Sequence, residues 1–291
     1  MVPEEQIIIT GSSGFIGSSL VKRLQSLGYK ITEINRDLLN SRTLMVSANV
    51  GFWERHGYMK NPYALIHLAG ASVPSNVSED DKDENILMTK SLLEYFDPQR
   101  FIFASTGLVY APGTNKLRED SLVRPESTYA KSKFISEGLI IDKYQSKASI
   151  LRIFNTIGPS MNKNLFVPSL VRKINLAKKT KKNLIEMDGH DGIRSFLDIR
   201  DLIDAIASLL SHKASLPSIL NLSSDEHIKL SDFADILCEK MGLNHRFLFK
   251  ESTSGSINTL IGDNTLSKTY LGTYDTRRLE QSIDYLLKER S

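Results

Sequence analysis

The stretch from Gln6 to Leu20, QIIITGSSGFIGSSL, constrains the fold more than any other part of the chain. A short apolar run rich in β-branched residues meets three glycines and then a segment of helical periodicity. That order predicts a buried strand, a tight turn and the first turns of a helix. Each glycine has its own physical reason. Gly11 permits the turn, Gly14 lets a ligand approach the backbone, and Gly17 lets the helix pack close to the strand. The unpaired amides that open such a helix suit a pyrophosphate. Glycines in a strand–helix turn are often only structural, but the strand before them and the helix after them point to a dinucleotide site. Ser13, Phe15 and Ile16 fall inside the same loop and are predicted contacts with it.

The pattern continues as an alternation. Strands are predicted at Lys30–Asn35, Tyr63–Leu68, Arg100–Ser105 and Ala148–Phe154, with helices at Asn85–Phe96 and Thr128–Gln145. Short apolar strands alternating with helices define an α/β doubly wound parallel sheet. Between Arg42 and Pro62 the pattern weakens to a short strand near Leu44–Val46 and a ragged helix near Phe52–His56. Beyond Pro159 helices are expected at Val167–Ala177, Ile199–Leu210, Leu230–Met241 (with Ser231 as cap) and Thr276–Leu287. Strands are expected at Leu184–Met187, Ser218–Leu222 and Arg246–Lys250. The division predicted is a nucleotide-binding domain over residues 1–158, with a contribution from 190–215, and a smaller α/β substrate lobe over 159–291.

Composition excludes several classes. With 41% apolar and 24% charged residues the chain has the make-up of an ordinary globular protein. The net charge of +3 is dispersed except at Lys178-Lys179-Thr180-Lys181-Lys182, which reads as a solvated helix end rather than a nucleic-acid surface. A single cysteine, Cys238, precludes an internal disulfide and falls at an apolar helical position, as a core residue would. No apolar run reaches membrane-spanning length, and Met1–Glu5 lacks the features of a signal peptide, so the expected place is the cytoplasm without membrane insertion. Nothing shows metal-ligand clustering.

Tyr129 and Lys133 stand at i and i+4 and share a face of their predicted helix. A phenol ionises near ~10, and an adjacent ammonium is expected to bring it toward the working range. The same spacing also arises by chance on helix surfaces, and context decides between the two. Phe101–Thr106 is a buried strand ending in hydroxyls, and strand ends in an open parallel sheet face the ligand crevice. Thr106 therefore delivers a hydroxyl toward Tyr129, unless it serves only as a strand-end cap.

These residues bring in a family. The chain resembles the extended short-chain dehydrogenases/reductases that act on nucleotide sugars, a group built on the Rossmann-type fold. The resemblance rests on Thr10–Gly17, on His67-Leu68-Ala69-Gly70 after the expected fourth strand, and on Asn85. It rests equally on Ser105-Thr106-Gly107-Leu108-Val109-Tyr110, Tyr129–Lys133, Leu151–Asn155 with Gly158-Pro159, and Arg194–Asp201. It implies that Tyr129 is the acid-base, that Lys133 tunes it and bonds the nicotinamide ribose, and that Thr106 bonds the reacting sugar oxygen. Cofactor contacts are implied also at Leu68, Ala69, Gly70, Asn85, Ser105 and Phe154. Substrate contacts are implied at Ser72, Asn155 and Val167, with Arg194 holding phosphates as a planar fork. His67, at a strand end, reads as structural.

Departures from the family pattern narrow the reaction. Asn35-Arg36 stands where an NAD site places an acid for the ribose hydroxyls, and arginine suits a 2′-phosphate. NADP is therefore expected, with NAD the alternative if Glu33 or Asp37 serves the ribose. Gly107-Leu108 lacks the carboxylates that dehydratases and decarboxylating members carry after the hydroxyl. Cys238 is too far along the chain for proton-shifting epimerisation. The first expectation is an NADP-dependent reductase of a 4-keto nucleotide-linked (deoxy)sugar. The second is a 4-epimerase with tightly held NAD, and a non-catalytic sensor is the third. Thr253-Ser254-Gly255-Ser256 replaces the family's usual pyrophosphate-binding Arg-x-Gly-Asp, leaving the nucleotide's identity open. The family's habit of pairing implies a homodimer through helices 85–96 and 128–145.

Overall fold

The structure is a computed structural model. It describes residues 5–34, 38, 51–70, 83–181, 184–188, 192–212, 217–243, 246–250, 259–272 and 276–288. The first half runs β1 (Gln6–Thr10), α1 (Phe15–Ser26), β2 (Lys30–Ile34), α2 (Phe52–Arg55), β3 (Ala64–His67), α3 (Glu84–Tyr95), β4 (Arg100–Thr106), α4 (Thr128–Tyr144) and β5 (Ala148–Ile153). Next come β6 (Thr156–Ile157), α5 (Phe166–Thr180), β7 (Leu184–Asp188), β8 (Ile193–Ser195), β9 (Leu197–Asp198), α6 (Ile199–Ser211) and β10 (Ile219–Leu222). The remainder is β11 (His227–Lys229), α7 (Leu230–Lys240), β12 (Arg246–Lys250), β13 (Thr259–Leu260), α8 (Thr265–Leu271) and α9 (Leu279–Lys288).

Six strands form one sheet in the order β10-β5-β4-β3-β1-β2, and every pairing is parallel. Both faces are covered, which is why β1 is a continuous apolar run rather than an alternating one. Ile7 and Ile9 enter one core with Leu20 and Leu24 of α1 and Leu202 and Ile206 of α6. Ile8 points the other way, into a core with Leu92 of α3 and Ile140 of α4. β1 is flanked by β2 on one side and β3 on the other, so the chain winds outward in both directions from it. That switch opens a crevice beyond the carboxyl ends of β1 and β3.

A separate core holds the second half together. Leu170 and Ile174 of α5, Phe233 and Leu237 of α7, and Ile283 and Leu286 of α9 bury one another. Cys238 lies in this core as expected, and burial pushes its thiol up to about 11. Phe15, at the start of α1, packs against this core and against the sheet core at once. The sheet itself recruits β10, from well beyond residue 158, as its edge strand.

Two local expectations change. Ser231 does not cap α7: Lys229 stands at the cap, and the Ser231 hydroxyl turns to Asp232 at 3.1 Å. The last helix starts at Leu279 rather than Thr276. Thr276 and Arg277 are held outside it, with Thr276 Oγ1 accepting from Asp225 N at 3.1 Å and Arg277 N donating to Asp201 at 2.7 Å. The expected strand at Leu44–Val46 lies outside the described residues, and β3, which carries His67, is the third described strand.

At Gly17 a Cβ would run into the Gly11 carbonyl oxygen and the Ser12 Cα, whereas at Gly14 the nearest atom is the Gly11 oxygen at 3.2 Å. Gly17→Ala is therefore expected to cost about 1–3 kcal/mol in urea unfolding, and Gly14→Ala clearly less.

Candidate active site

The glycine loop presents the start of α1 to the crevice. Gly14 is the N-cap, no side chain caps the helix, and no acidic residue occupies its first turn. The positive end of the helix is thus left to a ligand, as a pyrophosphate requires. Gly11 has φ +71°, and a Cβ there would lie 2.7 Å from the Ala69 nitrogen, so the two loops approach closely only because it is glycine. Ser13 and Gly14 are exposed on the loop, while Phe15 and Ile16 turn into the cleft beside Leu68 and Gly70. These features fit a dinucleotide.

A buried polar chain fixes the second loop. Ala69 N donates to Thr10 Oγ1 at 3.2 Å, and Thr10 Oγ1 lies 2.7 Å from His67 Nδ1. The other ring nitrogen, Nε2, faces Thr89 Oγ1 at 3.3 Å. Burial, with the nearby Lys133 charge, lowers the His67 pKa to about 3. His67 is a neutral structural group throughout the physiological range.

The candidate reacting groups lie on β4 and α4. Ser127 caps α4 by accepting from Ala130 N at 3.2 Å, and this starts the helix where Tyr129 and Lys133 project to one side. The Tyr129 phenol lies near Thr106, whose side chain favours its ionised form. Thr106 also caps the turn after β4, accepting from Leu108 N at 3.2 Å. Burial pushes the Tyr129 phenol up to about 12, with Thr106 opposing. Burial lowers Lys133 to about 8, opposed by Glu137 and Asp83. The expected lowering of Tyr129 by Lys133 is not what this geometry gives. Lys133 Nζ donates to the Ala104 carbonyl at 2.9 Å and sits 4.6 Å over the Phe103 ring, so burial governs the phenol.

A cleft of about 370 Å³ brings most of the expected residues together. Phe15, Ile16, Leu68, Gly70, Ser105, Thr106, Tyr129, Lys133, Phe154, Asn155 and Val167 all line it. The Ser105 hydroxyl, however, is turned away to Glu137. Asn85 is buried just behind the wall. Its Nδ2 donates to Ser132 at 3.1 Å, and a Cβ on Gly70 would meet its Oδ1 at 2.9 Å and Lys133 Nζ at 3.2 Å. Arg194 is not part of the cleft wall. It lies on β8 beside Leu260, which does line the cleft, and its Nη1 donates to the Ile193 carbonyl at 2.9 Å. Asn35, Arg36 and Ser72 lie outside the described residues. Among the described residues no cluster could hold a metal, and no helix is long and apolar enough to cross a membrane.

The far wall was missed by sequence reasoning. It consists of Met161, Leu165, Phe166, Phe196 and Leu260, apolar residues indistinguishable in sequence from core. The structure also explains Gly107. A Cβ there would lie 2.9 Å from the Phe154 ring, and one on Gly262 would lie 2.6 Å from it. Phe154 is clasped between the two glycines, so an acidic side chain at residue 107 has no room without moving that ring.

A Rossmann-type sheet with a glycine loop at its crevice defines the class, an α/β enzyme working on a bound nucleotide. The sequence profile of the NAD dependent epimerase/dehydratase family matches residues 7–223, and the protein belongs to that family. Its cofactor is accordingly a nicotinamide nucleotide, and the enzyme is an oxidoreductase or epimerase. GDP-6-deoxy-D-mannose reductase of Pseudomonas aeruginosa is 26% identical to it over 253 residues, covering 81% of this chain and 80% of that one. A putative UDP-glucose 4-epimerase of Methanocaldococcus jannaschii is 26% identical over 271 residues, covering 86% and 87%. The solved structure of RMD from Pseudomonas aeruginosa, complexed with NADPH, shares the fold with a TM-score of 0.81 at 23% identity over 98% of both chains.

The lowered Lys133 carries a sign for stability. Between about 8 and the ordinary 10.5 the unfolded chain binds a proton that the folded chain does not, so this group's contribution to stability rises with pH across that window. Relative to Lys133→Met, the wild-type protein should gain up to about 1.4 kcal/mol per pH unit there in denaturant titrations.

Proposed function

We propose that this protein reduces the 4-keto group of a nucleotide-linked (deoxy)sugar with NADPH as hydride donor. The observation that carries the reading is the meeting of Thr106, Tyr129 and Lys133 on one cleft beside the glycine loop. When bound, the reduced nicotinamide supplies the hydride. Thr106 orients the keto oxygen by hydrogen bonding. As hydride reaches the carbon, the oxygen becomes an alkoxide and takes the Tyr129 proton, giving the 4-hydroxy sugar and a phenolate. Lys133, one turn away, bonds the Ala104 carbonyl and would hold the nicotinamide ribose when the cofactor is bound. Asn155 and Val167 contact the sugar, and Arg194 grips its phosphates.

In its protonated form the Tyr129 phenol can give its proton to an alkoxide, the stronger base. The epimerase with tightly held NAD is nonetheless the second reading, favoured by the likeness to a putative 4-epimerase. NADP over NAD is supported by Asn35-Arg36. We further propose a homodimer through α3 and α4, where Phe134 and Ile135 of α4 are exposed apolar side chains. Sedimentation at micromolar concentration should show a dimer, and a monomer would refute the pairing.

Mixing the protein anaerobically with NADPH and a panel of nucleotide-linked 4-keto sugars should bleach the reduced-nicotinamide absorbance. Interconversion of 4-epimers without net oxidation would overturn the reductase. Tyr129→Phe should lower kcat by about 10²–10⁴ while NADPH binding persists. Retained turnover would remove Tyr129 from the reaction. Arg36→Ala should weaken NADPH by about tenfold and leave NADH nearly unchanged.

A further inference from the structure

α4 carries Tyr129, Lys133 and Glu137 at i, i+4 and i+8, on one face of the helix. The last three residues of β4 meet that face one by one. Thr106 lies near the Tyr129 phenol, the Ala104 carbonyl accepts from Lys133 Nζ at 2.9 Å, and the Ser105 hydroxyl donates to Glu137. Glu137 is buried and also takes Arg152 of β5, whose Nη2 donates to Oε2 at 2.7 Å and whose Nε reaches Oε1 at 3.2 Å. The Arg152 guanidinium lies 4.7 Å over the Tyr110 ring, and the Tyr110 hydroxyl donates to Asn221 of β10 at 2.7 Å. One carboxylate thus ties β4, α4 and β5 together directly behind the reacting groups. A buried ion pair seldom adds stability over a well-packed apolar pair of the same volume. Its place here calls for another reason.

We propose that Glu137 is a positioning residue for the reaction: its carboxylate pins the end of β4 to the face of α4 bearing Tyr129 and Lys133, and sets an anion one helical turn from the Lys133 ammonium. The inference rests on Thr106, Tyr129 and Lys133 being the reacting groups. The charged and titratable groups facing Lys133 are Glu137 on its own helix, Asp83 before α3 and His67 on β3, with Tyr129 one turn away and Arg152 behind Glu137. His67 is neutral, so Glu137 and Asp83 are the anions that keep Lys133 protonated against burial, Glu137 the greater.

The test is Glu137→Gln, read first without turnover. Lysine-selective labelled NMR, with the Lys133 signal assigned by Lys133→Met, should show Lys133 losing its proton about half a pH unit or more below the wild-type protein. NADPH affinity should stay within about twofold, kcat should fall about tenfold, and the alkaline limb of kcat/KM should move down with the lysine. Glu137→Asp, which keeps the charge, should return that limb toward its wild-type position. An unshifted lysine overturns the proposal, even where thermal stability falls, because a purely structural carboxylate would act that way. Unchanged kcat in Glu137→Gln also overturns it. Should the single variant fail to fold, because Arg152 is left as an unpaired buried charge, Glu137→Gln/Arg152→Met removes both charges and must still move the Lys133 titration below the wild-type protein, by a smaller margin because a cation is lost with the anion. The lysine titration needs no turnover. Full activity in Tyr129→Phe would therefore refute the reaction while leaving the role of Glu137 to be decided by its own measurement.

Discussion

The seam between the carboxyl end of β4 and one face of α4 is the interaction on which the rest depends. The lysine ammonium is drawn out of water and given a backbone carbonyl, Ala104, as its partner, and the phenol beside it lies near Thr106. Burying such groups is costly unless each finds a partner. The seam meets the requirement by using three successive residues of the strand, one through its backbone and two through hydroxyls. Everything that keeps β4 straight and α4 in register serves that contact. The two-sided burial of the sheet does so, as do the Ser127 cap and the stacking of Phe101 of β4 on Tyr144 at the far end of α4.

The electrostatics of the site are set by burial before they are set by charge pairing. His67 is held neutral, Tyr129 is held protonated, and Lys133 is brought to about 8. Apolar side chains contribute shape: Phe154, seated against Gly107 and Gly262, forms a floor, and Met161, Phe166 and Phe196 form the facing wall.

Different parts of the fold were legible in the sequence to different degrees, for reasons that can be stated. β1 and α1 were plain because a buried parallel strand must be apolar on both faces and because the turn after it admits little but glycine. The Tyr129–Lys133 pair was legible because helical spacing alone brings the two onto one face. The limits of α9 and the cap of α7 were not. Thr276, Arg277 and Ser231 are drawn off by Asp225, Asp201 and Asp232, and two of these partners lie far away in the chain. The far wall of the cleft was invisible because an apolar residue facing a ligand and one facing the core look alike.

The sequence by itself determined the class of fold, the glycine loop after β1 and the placing of Tyr129 and Lys133 on one helix face. Each of these follows from local spacing and backbone geometry. Only the tertiary structure decided what those side chains are at neutral pH and what stands behind them. The Lys133 ammonium bonds a carbonyl rather than the phenol, Arg194 stands off the cleft wall, and Glu137 closes a buried link from β4 to β5. Protonation depends on burial and on partners distant in the chain, and neither quantity is written in the spacing of residues along it.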